Sequence, residues 1–289
     1  VYFDRRYQIA VYAISLSVTA VLFALMLLQG FYIPSEPYFV PISQKLNNAI
    51  ALGLILTLTP PAILEFNNSR WLHGVDVNIP RLLRDVTESV SSGVSLINAL
   101  EEASTHDYGP VSKPLESAMV KFNLTSDIEE ALTWLGDRLI RPVAKRFSTI
   151  LIEAYETGGK ITEVLNTSVD LFTNLAEYRE EKDAQMRPYT SIVYLSSFVF
   201  LVISWVILVQ FLSPLVLSSA DPLVAQSGLL KNVLDINYYK SILFWAGSME
   251  ALLGGLVAGK IRGGRIAAGL IHSVLLLVIT VVFFNAFSV

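Results

Sequence analysis

Five runs of about twenty apolar positions organise this chain, at roughly Gln8 to Leu28, Leu46 to Phe66, Tyr189 to Leu212, Ser241 to Gly259 and Ile266 to Phe287. A helix needs ~20 mostly apolar residues to cross the hydrocarbon core of a bilayer, so each run predicts a spanning helix. The first reads as a span and not a cleavable leader. Its apolar core exceeds the ~7–15 residues of that class, and no small-x-small site follows Gly30.

Between the second and third runs the period changes to that of short amphipathic helices. Asn78 with Pro80 predicts a helix start, followed by the stripe Ile79, Leu82, Leu83, Val86 and Val90, which stops at Gly93. Ser95 predicts the start of a second helix through Ala103, closed by the turn Asp107-Tyr108-Gly109-Pro110. A third carries Leu115, Met119 and Phe122. Ser126 and Glu129 have the spacing of a capping box before a fourth, with Ile128, Leu132, Leu135 and Leu139. A fifth starts near Pro142 and stacks Val143, Phe147, Ile150, Leu151 and Ala154. Gly158 and Gly159 predict a structural turn, and a sixth helix runs from Ile161 to about Arg187 into the third span. The expected fold is all-α: a polytopic membrane protein with about five transmembrane helices and an inserted cytoplasmic six-helix bundle. Its parts are 1–66 with two N-terminal spans, 67–188 as the bundle, and 189–289 with three C-terminal spans.

Composition agrees with membrane residence. The 289 residues are 53% hydrophobic and 16% charged, against ~25% charged in an average soluble domain. Cysteine is absent, which excludes disulfides and thiolate metal sites. A net charge of −4 does not suggest nucleic-acid binding. The chain begins at Val1, so a fragment of a longer protein is one expectation. Lys and Arg set the orientation. Arg5, Arg6, the 67–188 segment and the loop with Lys260, Arg262 and Arg265 lie on one side; Lys45, Lys231 and Lys240 lie on the other. The richer side is the expected cytoplasmic one, with the N-terminus inside and Val289 outside.

One motif suggests nucleotide chemistry. Gly254 to Ile261, GGLVAGKI, has the spacing of a phosphate-binding loop. Ile261 stands where Ser or Thr would hold Mg²⁺, and no strand precedes it. Ala251, Gly255 and Gly259 instead make a small-xxx-small ladder, which lets a neighbouring helix approach closely. His73, His106 and His272 lack metal-ligand spacing, no nucleophile elbow is present, and neither a cofactor nor a catalytic residue is expected. Glu250 and His272 lie within spans, where ionisable groups are functional candidates. They form a candidate intramembrane polar pair, read as a buried structural contact, with a transporter or channel pathway as the alternative.

Three stretches, in order, resemble a known family. Ile79 to Ser104 (IPRLLRDVTESVSSGVSLINALEEAS) and Arg146 to Leu165 (RFSTILIEAYETGGKITEVL) resemble the two parts of a type II secretion F-type domain. Met249 to Leu276 resembles the membrane end of the archaeal branch, the platforms of archaella and archaeal type IV pili. The resemblance implies a non-enzymatic platform in the cytoplasmic membrane beneath a pilin-like filament. It implies a hexameric cytoplasmic secretion-type ATPase, pilin or archaellin subunits, and membrane lipids as partners. Family members often carry two such domains, so it also implies a homodimer or a second F-type half. Lys260, Arg262 and Arg265 are the candidate ATPase-docking cations.

Overall fold

A computed structural model describes residues 5–28, 40–214 and 236–287. Every regular element among them is helical: α1 (Arg5–Leu28), α2 (Gln44–Ser91), α3 (Leu96–Ser104), α4 (Ser112–Thr125), α5 (Ile128–Leu139), α6 (Pro142–Thr157), α7 (Ile161–Val206), α8 (Ile236–Gly263) and α9 (Leu270–Ala286). A π-turn, Ile207–Leu212, extends α7, and short 3₁₀ turns occupy Gly109–Val111, Gly158–Lys160 and Ile266–Gly269. Five helices are long and apolar enough to span a membrane, as the apolar runs predict. The chain divides into two units, one on residues 67–185 and one on the described parts of 6–66 and 186–289.

The first unit is built around one core. The predicted stripe of Ile79, Leu82, Leu83, Val86 and Val90 is buried, together with Leu115 and Met119 of α4, Leu132 and Leu135 of α5, and Phe147 and Leu151 of α6. Ser95 caps α3 as expected, accepting from the backbone N–H of Asn98. Two expected helix starts are displaced. Asn78 is not an N-cap, because α2 is already helical from Gln44. Val75 is fully buried one turn before Ile79, so the core-facing period begins earlier and carries the helix through Pro80. The Asn78 amide donates instead to the Gly74 carbonyl, 2.8 Å away. The expected capping box of Ser126 and Glu129 is also absent. Ser126 takes a left-handed conformation (φ 56°) that closes α4, and the next residue, Asp127, caps α5 by accepting from the Glu130 N–H at 2.9 Å.

In the second unit, Pro60 and Pro61 lie inside the unbroken α2. Pro61 has no N–H for the Thr57 carbonyl four residues before it. The Ser15 hydroxyl of α1 donates to that carbonyl. A helix in lipid tolerates proline where a neighbouring hydroxyl takes over the freed acceptor. Asn47 of α2 is fully buried and fully engaged. Its amide donates to Ser241 Oγ (2.9 Å) and the Pro41 carbonyl (3.1 Å), and accepts from Trp245 Nε1 (2.9 Å).

The small-residue ladder is the seam between α8 and α9. A Cβ at Gly259 would stand 2.0 Å from the Gly269 nitrogen, and one at Gly255 2.2 Å from the Ser273 nitrogen. These are backbone atoms and cannot swing aside. Ser273 Oγ donates across the seam to the Leu252 carbonyl at 2.8 Å. GGLVAGKI is therefore the end of a packed membrane helix, and the phosphate-loop spacing is incidental to that packing.

The seam makes unequal demands on adjacent glycines. Gly259→Ala or Gly255→Ala should lower the melting temperature of the detergent-solubilised protein by several degrees. Gly254→Ala should be milder, because its Cβ would meet only the movable Val193 Cγ1 at 3.2 Å. Equal melting of all three would contradict the seam. The Gly158-Gly159 turn is similarly asymmetric. Only Gly158 has positive φ (59°), and neither position is crowded. Gly158→Val should cost about 1–2 kcal/mol in denaturant unfolding and Gly159→Val less.

Candidate functional site

The turn between α8 and α9 collects the three cations singled out in the sequence, and the fold treats each differently. Gly264 has φ 67°, which brings its carbonyl back over the end of α8. Lys260 Nζ donates to that carbonyl at 2.9 Å, closing the helix terminus. Arg265 is extended (φ −126°, ψ 133°) and sends Nη1 to within 2.8 Å of Glu65 Oε1 on α2. Glu65 is 2% exposed, so this ion pair has one member enclosed and one at the surface. The approach lies off the N–H axis, and Oε1 accepts no aligned hydrogen bond. Arg262 is exposed and makes no ion pair among the described residues.

Glu65 is the residue that sequence reasoning missed. It lies within the run Leu46 to Phe66, yet only Glu250 and His272 were counted as ionisable groups inside spans. Its signal was a lone acid one position from the end of an apolar run.

Glu250 and His272 are each joined to α7 and not to one another. Ser196 Oγ donates to Glu250 Oε1 at 3.3 Å, while Glu250 Oε2 is enclosed without a partner. Tyr194 OH and His272 Nδ1 share a hydrogen bond of 2.7 Å, their rings edge-on at 5.8 Å. The seam explains the separation. It pairs Gly255 with Ser273 and Gly259 with Gly269, which sets His272 level with Leu256, about 9 Å along the axis from Glu250.

The first unit carries two polar clusters on its core. Asp76 of α2 receives Arg141 in a two-pronged pair, Nε to Oδ1 at 3.0 Å and Nη2 to Oδ2, and Arg179 Nη1 approaches the same carboxylate at 3.4 Å. Tyr108 is buried and donates to Asp85 Oδ2 at 2.7 Å, with the Arg81 guanidinium 5.6 Å from its ring centre. Burial first, and the bond to Asp85 second, push the Tyr108 hydroxyl well above its usual pKa. No group of three His, Asp or Glu side chains is arranged to hold a metal among the described residues.

Residues 82–209 match the family described as Type II secretion system (T2SS), protein F. The chain is similar to the uncharacterized protein MJ1286 of Methanocaldococcus jannaschii, with 27% identity over 238 residues. The alignment covers 82% of this chain and 36% of that relative, so the chain spans about a third of the relative's length. No solved structure matches.

Arg265→Gln should leave the Glu65 carboxylate enclosed and unpaired. The expected loss is about 1–3 kcal/mol, below the ~3–5 of a fully buried pair because about half of Arg265 faces solvent. The double variant Glu65→Gln with Arg265→Gln should recover most of it. Thermal melts of the four proteins check this: a double variant no better than the single would exclude the pair as the cause.

Proposed function

We propose, from the type II secretion system protein F domain at residues 82–209, that this chain is the membrane platform of an archaellum or archaeal type IV pilus. The domain marks a platform family of type II secretion and type IV pilus-like systems, and its long apolar helices make the chain a multi-pass membrane protein. The single observation that carries the reading is that order: a secretion F domain bracketed by helices able to cross a membrane.

On this reading the platform is not an enzyme. Pilin or archaellin subunits meet it within the membrane, and a hexameric cytoplasmic ATPase supplies the force for their insertion or for rotation. The N-terminus and 67–188 face the cytoplasm and the C-terminus faces out, following the Lys and Arg bias. A second copy, or a second F-type half, completes the assembly. The relative's greater length is compatible with a second half. The docking loop offers Arg262 as its unengaged cation, since Lys260 and Arg265 are held within the fold. The separate hydrogen bonds of Glu250 and His272 to α7 favour a packing role over a conduction pathway.

Deleting the gene should abolish surface filaments, and the intact chain should restore them. Arg262→Glu should reduce filament number while leaving the protein inserted and abundant. A cysteine at Gly263 should resist impermeant thiol reagent on intact cells, whereas one at Ser288 should react; the chain's lack of cysteine gives a clean background. Normal filaments in the deletion strain would refute the function, and the reverse labelling would refute the orientation.

A further inference from the structure

Helices α7, α8 and α9 leave a cleft between them, at the end away from the α8–α9 turn. Each gives about one turn of wall, at 205–209, 236–240 and 283–287. The cleft holds about 460 Å³ with its open mouth included, the scale of a small-molecule site and not of a helix. Leu208 and Val209 belong to the π-turn of α7, where the Ser213 N–H donates to the Leu208 carbonyl five residues back. The wall is thus the place where α7 departs from regular winding, and such turns are frequent at functional sites.

The seam register gives the cleft a floor and a rim. Continued from Gly255 opposite Ser273, it brings Phe244 against Phe284, ring centres 5.5 Å apart. Lys240 stands one turn from Phe244 toward the open end, and Asn237 nearly one turn beyond Lys240. Phe284 is buried, Lys240 partly buried and Asn237 exposed. The floor is therefore aromatic, from Phe283, Phe284 and Trp205, and the rim carries an ammonium and an amide. The described residues of this half of the unit, 40–55, 200–214, 236–247 and 277–287, hold Lys45 and Lys240 and no Asp or Glu. Asp221 and Asp235 fall outside the described residues.

This grading selects the ligand. An apolar floor beneath a polar rim fits an amphiphile with its chain inward and its head at the mouth. The cation sets the sign of the head, and basic recesses between membrane helices hold anionic headgroups. An ammonium carries three N–H donors, so a phosphate oxygen joins the contacts that Lys240 already makes. An ordinary interfacial belt sets Trp and Lys toward the surrounding lipid. Here Trp205 and Lys240 line one intramolecular cleft. We infer that the cleft binds one anionic phospholipid, with its phosphate at Lys240 and Asn237 and the first part of one acyl chain over Phe283, Phe284 and Trp205. The site is independent of the platform reading and of the orientation.

The test uses the full chain in detergent. Melting is followed while phosphatidylglycerol or phosphatidylcholine with the same chains is added, and inorganic phosphate serves as the chain-free probe. The wild type should bind phosphatidylglycerol about fivefold more tightly than phosphatidylcholine, the increment expected of one cation at a headgroup. Lys240→Gln should abolish that preference, and Lys240→Arg should keep it. Lys45→Gln, which removes the exposed cation of the same half, should leave it unchanged. Val209→Trp, which fills the cleft, should weaken both lipids several-fold. Equal binding of the two lipids by the wild type, or a preference that survives Lys240→Gln, would overturn the site. An equal loss in Lys45→Gln would assign the preference to diffuse surface charge and overturn it too. So would inorganic phosphate that raises the melting temperature as phosphatidylglycerol does, because the acyl chain would then contribute nothing. Should Lys240→Gln fail to fold, Val209→Trp decides: unchanged phosphatidylglycerol affinity in that variant leaves no lipid in the cleft.

Discussion

Inside a bilayer no water is available to an open carbonyl, an amide or a charge, and each such group must find its partner within the protein. The membrane-capable unit is arranged around that requirement. The carbonyl that Pro61 leaves open is met by Ser15 of a different helix. The Asn47 amide is saturated by Ser241, Trp245 and the Pro41 carbonyl. His272 and Glu250 each draw a hydroxyl from α7, and Glu65 draws a guanidinium. Each of these contacts joins different helices or a helix to a preceding loop, so satisfying a polar group and choosing a neighbour are one event. Where α8 meets α9 the same close approach is reached by omission: with no Cβ at Gly255, Gly259 or Gly269, backbone lies on backbone.

The segment at 67–185 is stabilised differently. Its core is aliphatic and aromatic, and periodicity alone selected most of it, because burying an apolar stripe is the largest favourable contribution in such a fold. Its polar contacts lie at the margin of that core. Asp76 gathers Arg141, just before α6, and Arg179 of α7, and Asp85 holds the Tyr108 hydroxyl. These contacts fix which faces of the helices meet.

The legibility of the sequence follows from the same physics. Runs of apolar residues and 3.6-residue stripes are local, and they placed all five long apolar helices and the core faces. Signals that depend on competition were misread. Asn78 with Pro80 imitates a helix start, but Val75 extends the buried face past it and the longer helix prevails. Ser126 and Glu129 imitate a capping box, yet Asp127 caps more directly once Ser126 turns left-handed. Pairings between distant elements left no local trace. Nothing near Arg265 announces Glu65 two hundred residues away. Ile140 gave no sign at all, since the left-handed position it fills normally belongs to glycine or asparagine.

The enclosure of Glu65 has a consequence for ionic strength. Mobile ions screen charges that face solvent, with a Debye length of about 8 Å at physiological salt, and they reach an enclosed carboxylate far less. The Glu65 side chain is 3% exposed, so salt that weakens contacts on surface arginines should leave the joint between α2 and the α8–α9 turn largely intact. Membranes washed in concentrated salt should therefore release proteins held by surface charge while α2 stays joined to the α8–α9 turn.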